Sequence, residues 1–222
     1  MRAVVIGGSG HIGTYLVPML AKAGYDTISI TRGKKLPYVD DPAWKTVTKI
    51  QLDRNGNGFA EAIGQMHPDI VIDLVGFHRQ EVIPLVHVLK QSECSHYIFC
   101  SSCWAHGRAG ILPLQPDQKD KEPLDEYGKE KFYIETYLKE QFYDNGFPAT
   151  IIMPGQISGP GWTIMNPWAN KTLVPFQKIA AGEPLMLPNF GMETLHHVHA
   201  YDVAQCFFSG SYPQGACFGR NL

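Results

Sequence analysis

The chain has 222 residues, 44% of them hydrophobic and 18% charged, enough for one sizeable core or a main domain with a small lobe, but not two full domains. Nineteen basic against 21 acidic residues leave a formal charge of −2, with no Lys/Arg run to neutralise many phosphates. That balance disfavours DNA wrapping or membrane-surface binding by bulk charge.

Ala3-Val4-Val5-Ile6 reads as a first buried strand, followed by a helix pattern over 12–23 and a second strand at Thr27-Ile28-Ser29-Ile30. A helix over 59–65 precedes a strand at Ile70-Val71-Ile72, and a helix over 81–90 precedes another at Tyr97-Ile98-Phe99. The segment 111–126 is polar and contains proline, so it is expected as a surface loop. A helix over 127–143 and a strand at Thr150-Ile151-Ile152-Met153 complete the series. Unalternating apolar strands separated by helices suit a parallel sheet buried on both faces. The fold class is therefore α/β, an open doubly wound sheet with ligands at the carboxyl ends of its strands.

Composition shifts after Met153, where Pro154-Gly155, Gly159-Pro160-Gly161 and Pro167 surround Trp162 and Trp168. Residues 1–153 are expected as a Rossmann-type nucleotide-binding domain, and 154–222 as a partial C-terminal substrate lobe interleaved with the last sheet elements. No run of about 18 apolar residues marks a membrane span. With a strand-like start at Ala3 no leader is expected, and the five cysteines lack a framework spacing. Reduced thiols and a cytoplasmic location are expected.

The first strand runs into Gly7-Gly8-Ser9-Gly10-His11-Ile12-Gly13 just where a helix begins. Read from Gly8 this is GxGxxG; read from Gly7 it is GxxGxxG. Glycines suit a turn that needs positive φ and close approach to a pyrophosphate, and the helix N-terminus favours the phosphate charge. The strand–turn–helix context points to nucleotide binding over a plain turn. At the end of the second strand, Thr31-Arg32-Gly33-Lys34-Lys35 offers cations where an NAD site would carry an acid. Arg32 can pair with a 2′-phosphate, which favours NADP over NAD, unless this is simply a solvated basic turn.

Tyr127 and Lys131 are four apart on one helix face. A neighbouring ammonium stabilises phenolate, so this tyrosine is expected to titrate below its usual value of about 10 and to exchange a proton with a hydroxyl or carbonyl. Cys100-Ser101-Ser102-Cys103 ends a strand upstream, placing a hydroxyl in the crevice. Either feature alone is equally an exposed helix pair or an ordinary turn.

Glycine loop, Ser-Ser pair and Tyr-x-x-x-Lys, in this order and at these separations, resemble the extended short-chain dehydrogenase/reductase family, the NAD(P)-dependent sugar epimerases and dehydratases. The likeness spans nearly the whole chain. It implies Tyr127 as acid/base, Lys131 on the ribose hydroxyls, and Ser102 on the substrate hydroxyl or carbonyl. It also implies cofactor contacts from Asp53 near the adenine, from the Val75-Gly76-Phe77 turn, and from Pro154-Gly155 under the nicotinamide. His196 to Ala204 resembles the family's late strand-to-helix segment. Cys103 and Trp104 stand where dehydratases carry acids, which argues against dehydration. Thr194 and Leu195 stand where nucleotide-sugar enzymes tend to place a phosphate-gripping arginine.

The resemblance implies an NAD(P)-dependent oxidoreductase or epimerase acting on a sugar or nucleotide-sugar-like small molecule, with no nucleic-acid or membrane partner and a homodimer paired through the Tyr127 helix. The alternative is a non-catalytic NADP(H) sensor or macromolecule-docking protein on the same fold. Cys100 and Cys103 have redox spacing, but the family pattern accounts for them. His196, His197 and His199 read as packed or hydrogen-bonded, with no metal expected. Trp162, Met165 and Trp168 read as lobe packing or an aromatic wall, and His106 as substrate-facing or a loop residue.

Overall fold

The computed structural model describes residues 1–115, 117–118 and 120–211. The end of the expected lobe, 212–222 with Cys217, lies outside the described residues, as do two positions of the 111–126 loop. Six strands, β1 (Arg2–Ile6), β2 (Asp26–Thr31), β3 (Thr48–Gln51), β4 (Ile70–Asp73), β5 (His96–Cys100) and β6 (Ala149–Ile152), form one parallel sheet. Their order is β3-β2-β1-β4-β5-β6. The direction of winding reverses between β1 and β4, and a crevice opens there at the carboxyl ends.

Helices cover both faces, which explains the unalternating strands. On one face Val4, Ile6, Val71, Tyr97 and Phe99 pack against α2 (Phe59–Gly64), α3 (Arg79–Lys90) and α4 (Glu126–Asn145), through residues such as Ile63, Leu85 and Ile134. On the other, Ala3, Val5, Ile72 and Ile98 meet Leu16 and Leu20 of α1 (Gly13–Lys22) and Phe207 of α6 (Ala200–Gly210). In chain order a short α5 (Val174–Ala180) falls between α4 and α6. Successive residues of β1 thus serve opposite cores.

Helix boundaries follow local caps. Glu81 Oε2 accepts from the Phe77 and His78 amides at 3.1 and 3.3 Å, so α3 starts two residues earlier than its apolar pattern suggests. Asp125 Oδ1 accepts from Gly128 N at 2.7 Å and starts α4 at Glu126. Strand β3 carries a single apolar residue, Ile50, because its side chains are mostly exposed at the sheet edge.

One expectation changes. The segment 111–126 is not simply a surface loop, because Lys121 is buried and pairs with buried Glu135 of α4 at 2.6 Å. Ser101 Oγ also donates to that carboxylate, so the pair pins the loop beside the end of β5. The residues after Met153 lie outside the six-stranded sheet. β7 (Gln156–Ser158) and β8 (His197–His199) form a separate parallel pair, and α6 then returns to pack on α1. Apolar Val203, Ala204 and Phe207 drive that return, each at most 3% exposed.

Candidate active site

The glycine loop is built by its own backbone. Gly7 has φ +89°, and a Cβ there would lie 2.7 Å from Val75 Cγ1. Gly7 N donates to Ile30 O, Gly10 N to Gly7 O, both at 2.9 Å, and Thr14 N to Gly10 O at 2.8 Å. A Cβ on Gly13 would overlap the Gly8 backbone, so α1 meets the loop at closest packing. Gly7, Gly10 and Gly13 line a cavity of about 380 Å³, whereas Gly8 backs onto Ser29 and Val17. The spacing read from Gly7 is the one that faces the crevice. No side chain caps α1 and no acid sits in its first turn, so its N-terminal amides favour an anion.

A buried network shapes the next wall. Asp73, at the end of β4, accepts from Arg54 Nη1 and Nη2 at 2.8 and 2.7 Å and from the Tyr97 hydroxyl at 2.9 Å. It also accepts from Val75 N at 3.1 Å, which fixes the turn presenting Leu74, Val75 and Phe77 to the cavity. Burial works against the Arg54 charge, but the Asp73 carboxylate outweighs it and holds the guanidinium above its ordinary value.

Ser102, Tyr127 and Lys131 line the same cavity. Ser102 caps the single turn Cys103–His106, its Oγ accepting from Trp104 N at 3.3 Å. A Cβ on Gly128 would come within 2.6 Å of Trp104 O, so glycine at this position lets α4 approach that turn and bring Tyr127 toward Ser102. Lys131 is 1% exposed, and its Nζ donates to Cys100 O at 2.6 Å and Gly76 O at 2.8 Å. Burial pulls its ammonium below the usual lysine range.

One expectation about this pair is corrected. Tyr127 is pushed up to about 12, not down. Burial is the largest cause, outweighing a hydrogen bond with Ser102 that acts in the opposite sense. The Lys131 ammonium is engaged with backbone carbonyls and lies 5.7 Å from the Tyr127 ring centroid.

His11, Ile12, Pro154 and Gly155 join the lining, so most of the expected cofactor residues converge. Ser9 and Gly76 are not among the lining residues, Gly76 contributing instead a carbonyl that holds Lys131. Arg32 and Asp53 are exposed beyond the carboxyl ends of β2 and β3, outside the cavity lining. Asp53 Oδ1 accepts from Asn55 N at 3.1 Å, and the Arg32 carbonyl accepts from Gln51 Nε2 at 3.2 Å.

Burial lowers the His11 pKa to about 4, with the Lys35 charge adding to the effect. The unfolded chain therefore binds more protons than the folded one between about pH 4 and 6.5, so stability falls as pH drops through that window. Melting temperatures from about pH 7 to 4 should show this decline, and His11→Phe should make it shallower, leaving the share of His96 and His106, whose pKa values burial also lowers. An identical slope in the variant would refute the assignment.

A second cavity of about 880 Å³ shares Pro154 and Gly155 with the first and is lined by Cys103, His106, Met153, Leu195 and Asp202 among others. His106 lines this cavity although it is only 5% exposed, and its Nε2 lies 3.3 Å from Gln115 O. Burial raises the Cys100 thiol to about 11 and also pushes Cys103 up, which opposes thiolate redox chemistry. His199 Nδ1 accepts from Tyr201 N at 3.1 Å, capping α6. Trp168 Nε1 donates to Met186 O at 2.7 Å, whereas Trp162 and Met165 line the smaller cavity. Among the described residues no three His, Cys, Asp or Glu side chains cluster in a way that would hold a metal ion, and no helix is long and apolar enough to cross a membrane. Sequence reading missed Arg54, Glu135 and Lys171; Arg54 and Glu135 lie far along the chain from Asp73 and from Ser101 and Lys121, and none of the three belongs to a local pattern.

Residues 3–209 match the model of the NAD dependent epimerase/dehydratase family. The chloroplast stem-loop binding protein of 41 kDa b from Arabidopsis thaliana is 26% identical over 219 residues, 94% of this chain and 54% of that protein. The chain thus spans about half the length of this curated relative. The fold is shared with UDP-glucose 4-epimerase of Thermus thermophilus, solved with NAD: TM-score 0.74, 18% identity, covering 96% of this chain and 75% of that one. It is shared also with UDP-glucose 4-epimerase of Thermotoga maritima, solved with UDP-glucose: TM-score 0.73, 19% identity, covering 95% and 73%.

Proposed function

The chain belongs to the NAD dependent epimerase/dehydratase family, and from that premise we propose that it is an NAD(P)-dependent epimerase or reductase acting on a hydroxyl or carbonyl of a sugar-like substrate. The observation that carries this reading is the convergence of Ser102, Tyr127 and Lys131 with the glycine loop in one cavity. The residues present fit a dinucleotide: a cradle closed to side chains at Gly7 and Gly13, an uncapped helix N-terminus, and a buried His11 Nε2 without a partner. A bound nicotinamide supplies the two-electron redox centre.

Substrate enters through the larger cavity, beside Cys103 and His106. Ser102 Oγ holds the reacting oxygen, and Tyr127 gives a proton to a carbonyl or takes one from a hydroxyl. Lys131, released from its carbonyl partners, holds the ribose hydroxyls. The exposed cations Arg32, Lys34 and Lys35 support a preference for NADP.

Calorimetric titration of cofactor-free protein with NAD+, NADP+ and their reduced forms tests the reading. Binding is expected, about tenfold tighter for the phosphorylated forms. Preference for NAD+ would retire the role of Arg32; no binding by folded protein would overturn the enzyme. The relative's name raises a nucleic-acid stem-loop as another ligand, but the charge balance supports none. A labelled stem-loop at low salt should stay free, and salt-sensitive binding would reverse that expectation.

A further inference from the structure

The smaller cavity is closed over the glycine loop by residues from the segment 159–171. The Trp162 ring meets His11 edge-on, centroids 3.6 Å apart, and Tyr38 meets the same imidazole at 4.3 Å. Lys171 Nζ lies 5.5 Å from the Trp162 ring centroid, and both side chains line the cavity with Gly7, Gly10 and Gly13. Lys171 has no carboxylate partner among the described residues. His11 is 6% exposed, and its Nε2 is buried without a hydrogen-bond partner. One cavity therefore gathers the bare N-terminus of α1, an unpaired ammonium and an unanswered ring nitrogen. All three are answered by phosphate oxygens.

We propose that Lys171, Trp162 and His11 form a clasp on the diphosphate of the bound dinucleotide. The Lys171 ammonium pairs with the phosphate charge, His11 Nε2–H donates to a phosphate oxygen, and Trp162 shields both contacts from water. The imidazole donates as a neutral ring at ordinary pH, since burial and Lys35 hold its pKa at about 4. This clasp rests on the dinucleotide reading of the cavity. It adds to that reading a grip from the segment after β7, opposite the glycine loop. A nucleotide substrate would offer the same diphosphate chemistry, so the test separates adenine from uracil nucleotides.

Dissociation constants of the full chain, Lys171→Met and His11→Phe are to be measured for NAD+, ADP and UDP, with adenosine by displacement. Lys171→Met keeps an unbranched side chain of similar length beside Trp162, and His11→Phe keeps a ring between Trp162 and Tyr38. Lys171→Met should weaken NAD+ and ADP about tenfold and leave adenosine unchanged. The gap from the parent should close as salt rises from about 50 to about 500 mM. His11→Phe should weaken ADP severalfold, also sparing adenosine. Unchanged ADP affinity in Lys171→Met, or an equal loss for adenosine, would overturn the clasp. A loss confined to UDP would assign it to a substrate instead. Failure of the parent chain to bind any dinucleotide would overturn the proposed function and the clasp together, whereas intact binding in both variants removes the clasp alone.

Discussion

Replacing Tyr127 by Phe should lower turnover by about 10²- to 10⁴-fold while leaving dinucleotide affinity unchanged. The ring remains, so packing near Phe77, whose ring centroid is 6.3 Å away, is kept and only the hydroxyl is lost. Although the residue is 39% exposed, its hydroxyl end is sheltered against Ser102, and burial holds its pKa at about 12. At neutral pH the phenol therefore carries its proton and is ready to donate to a carbonyl. In the oxidative direction it must first lose that proton. The oxidative rate should then climb with pH across about 7 to 9 without a plateau, while the reductive rate stays nearly level. Steady-state kinetics in both directions, with calorimetry on the same variant, checks each part. Full turnover in Tyr127→Phe would remove the tyrosine from the chemistry, whereas a parent chain that binds dinucleotide without any turnover would favour the sensor alternative.

Asp73→Ala should cost about 3–5 kcal/mol of stability, read as a lower urea midpoint. Asp73 is fully buried and answers four donors: both terminal nitrogens of Arg54, the Tyr97 hydroxyl and the Val75 amide. Truncation leaves a guanidinium whose side chain is only 8% exposed with Glu81, 3.3 Å away, as its remaining carboxylate, and strands a tyrosine hydroxyl with no exposed surface. Losing one member of a buried pair is costly because the remaining charge keeps its desolvation penalty. Adding Arg54→Met to Asp73→Ala should recover part of the loss, since it removes that charge. The turn at Val75 would also loosen, so dinucleotide affinity should fall with stability. A loss below about 1 kcal/mol would show that water or another group satisfies Arg54 in the variant.

Within each segment the sequence was informative. Ala3-Val4-Val5-Ile6 and Tyr97-Ile98-Phe99 are apolar at every position because helices cover both sides of the sheet, and that signature survives without coordinates. The loop from Gly7 to Gly13 could be located from its place between strand and helix, and the spacing of Tyr127 and Lys131 put both on one face. Strand β3 was hard to see because an exposed edge leaves only Ile50 to mark it.

Tertiary structure decided what those residues do. Whether Gly8 or Gly7 begins the working spacing depends on Ser29 of β2, which lies against Gly8. Lys131 turns to the carbonyls of Gly76 and Cys100 because the ends of the turn after β4 and of β5 converge on it, so the expected phenolate never gains its cation. Arg54 finds Asp73, Lys121 finds Glu135 and Trp162 finds His11 across long separations in the chain. Periodicity records how a segment divides between core and water. Partner choice and the resulting pKa shifts depend on which segments the sheet order brings side by side.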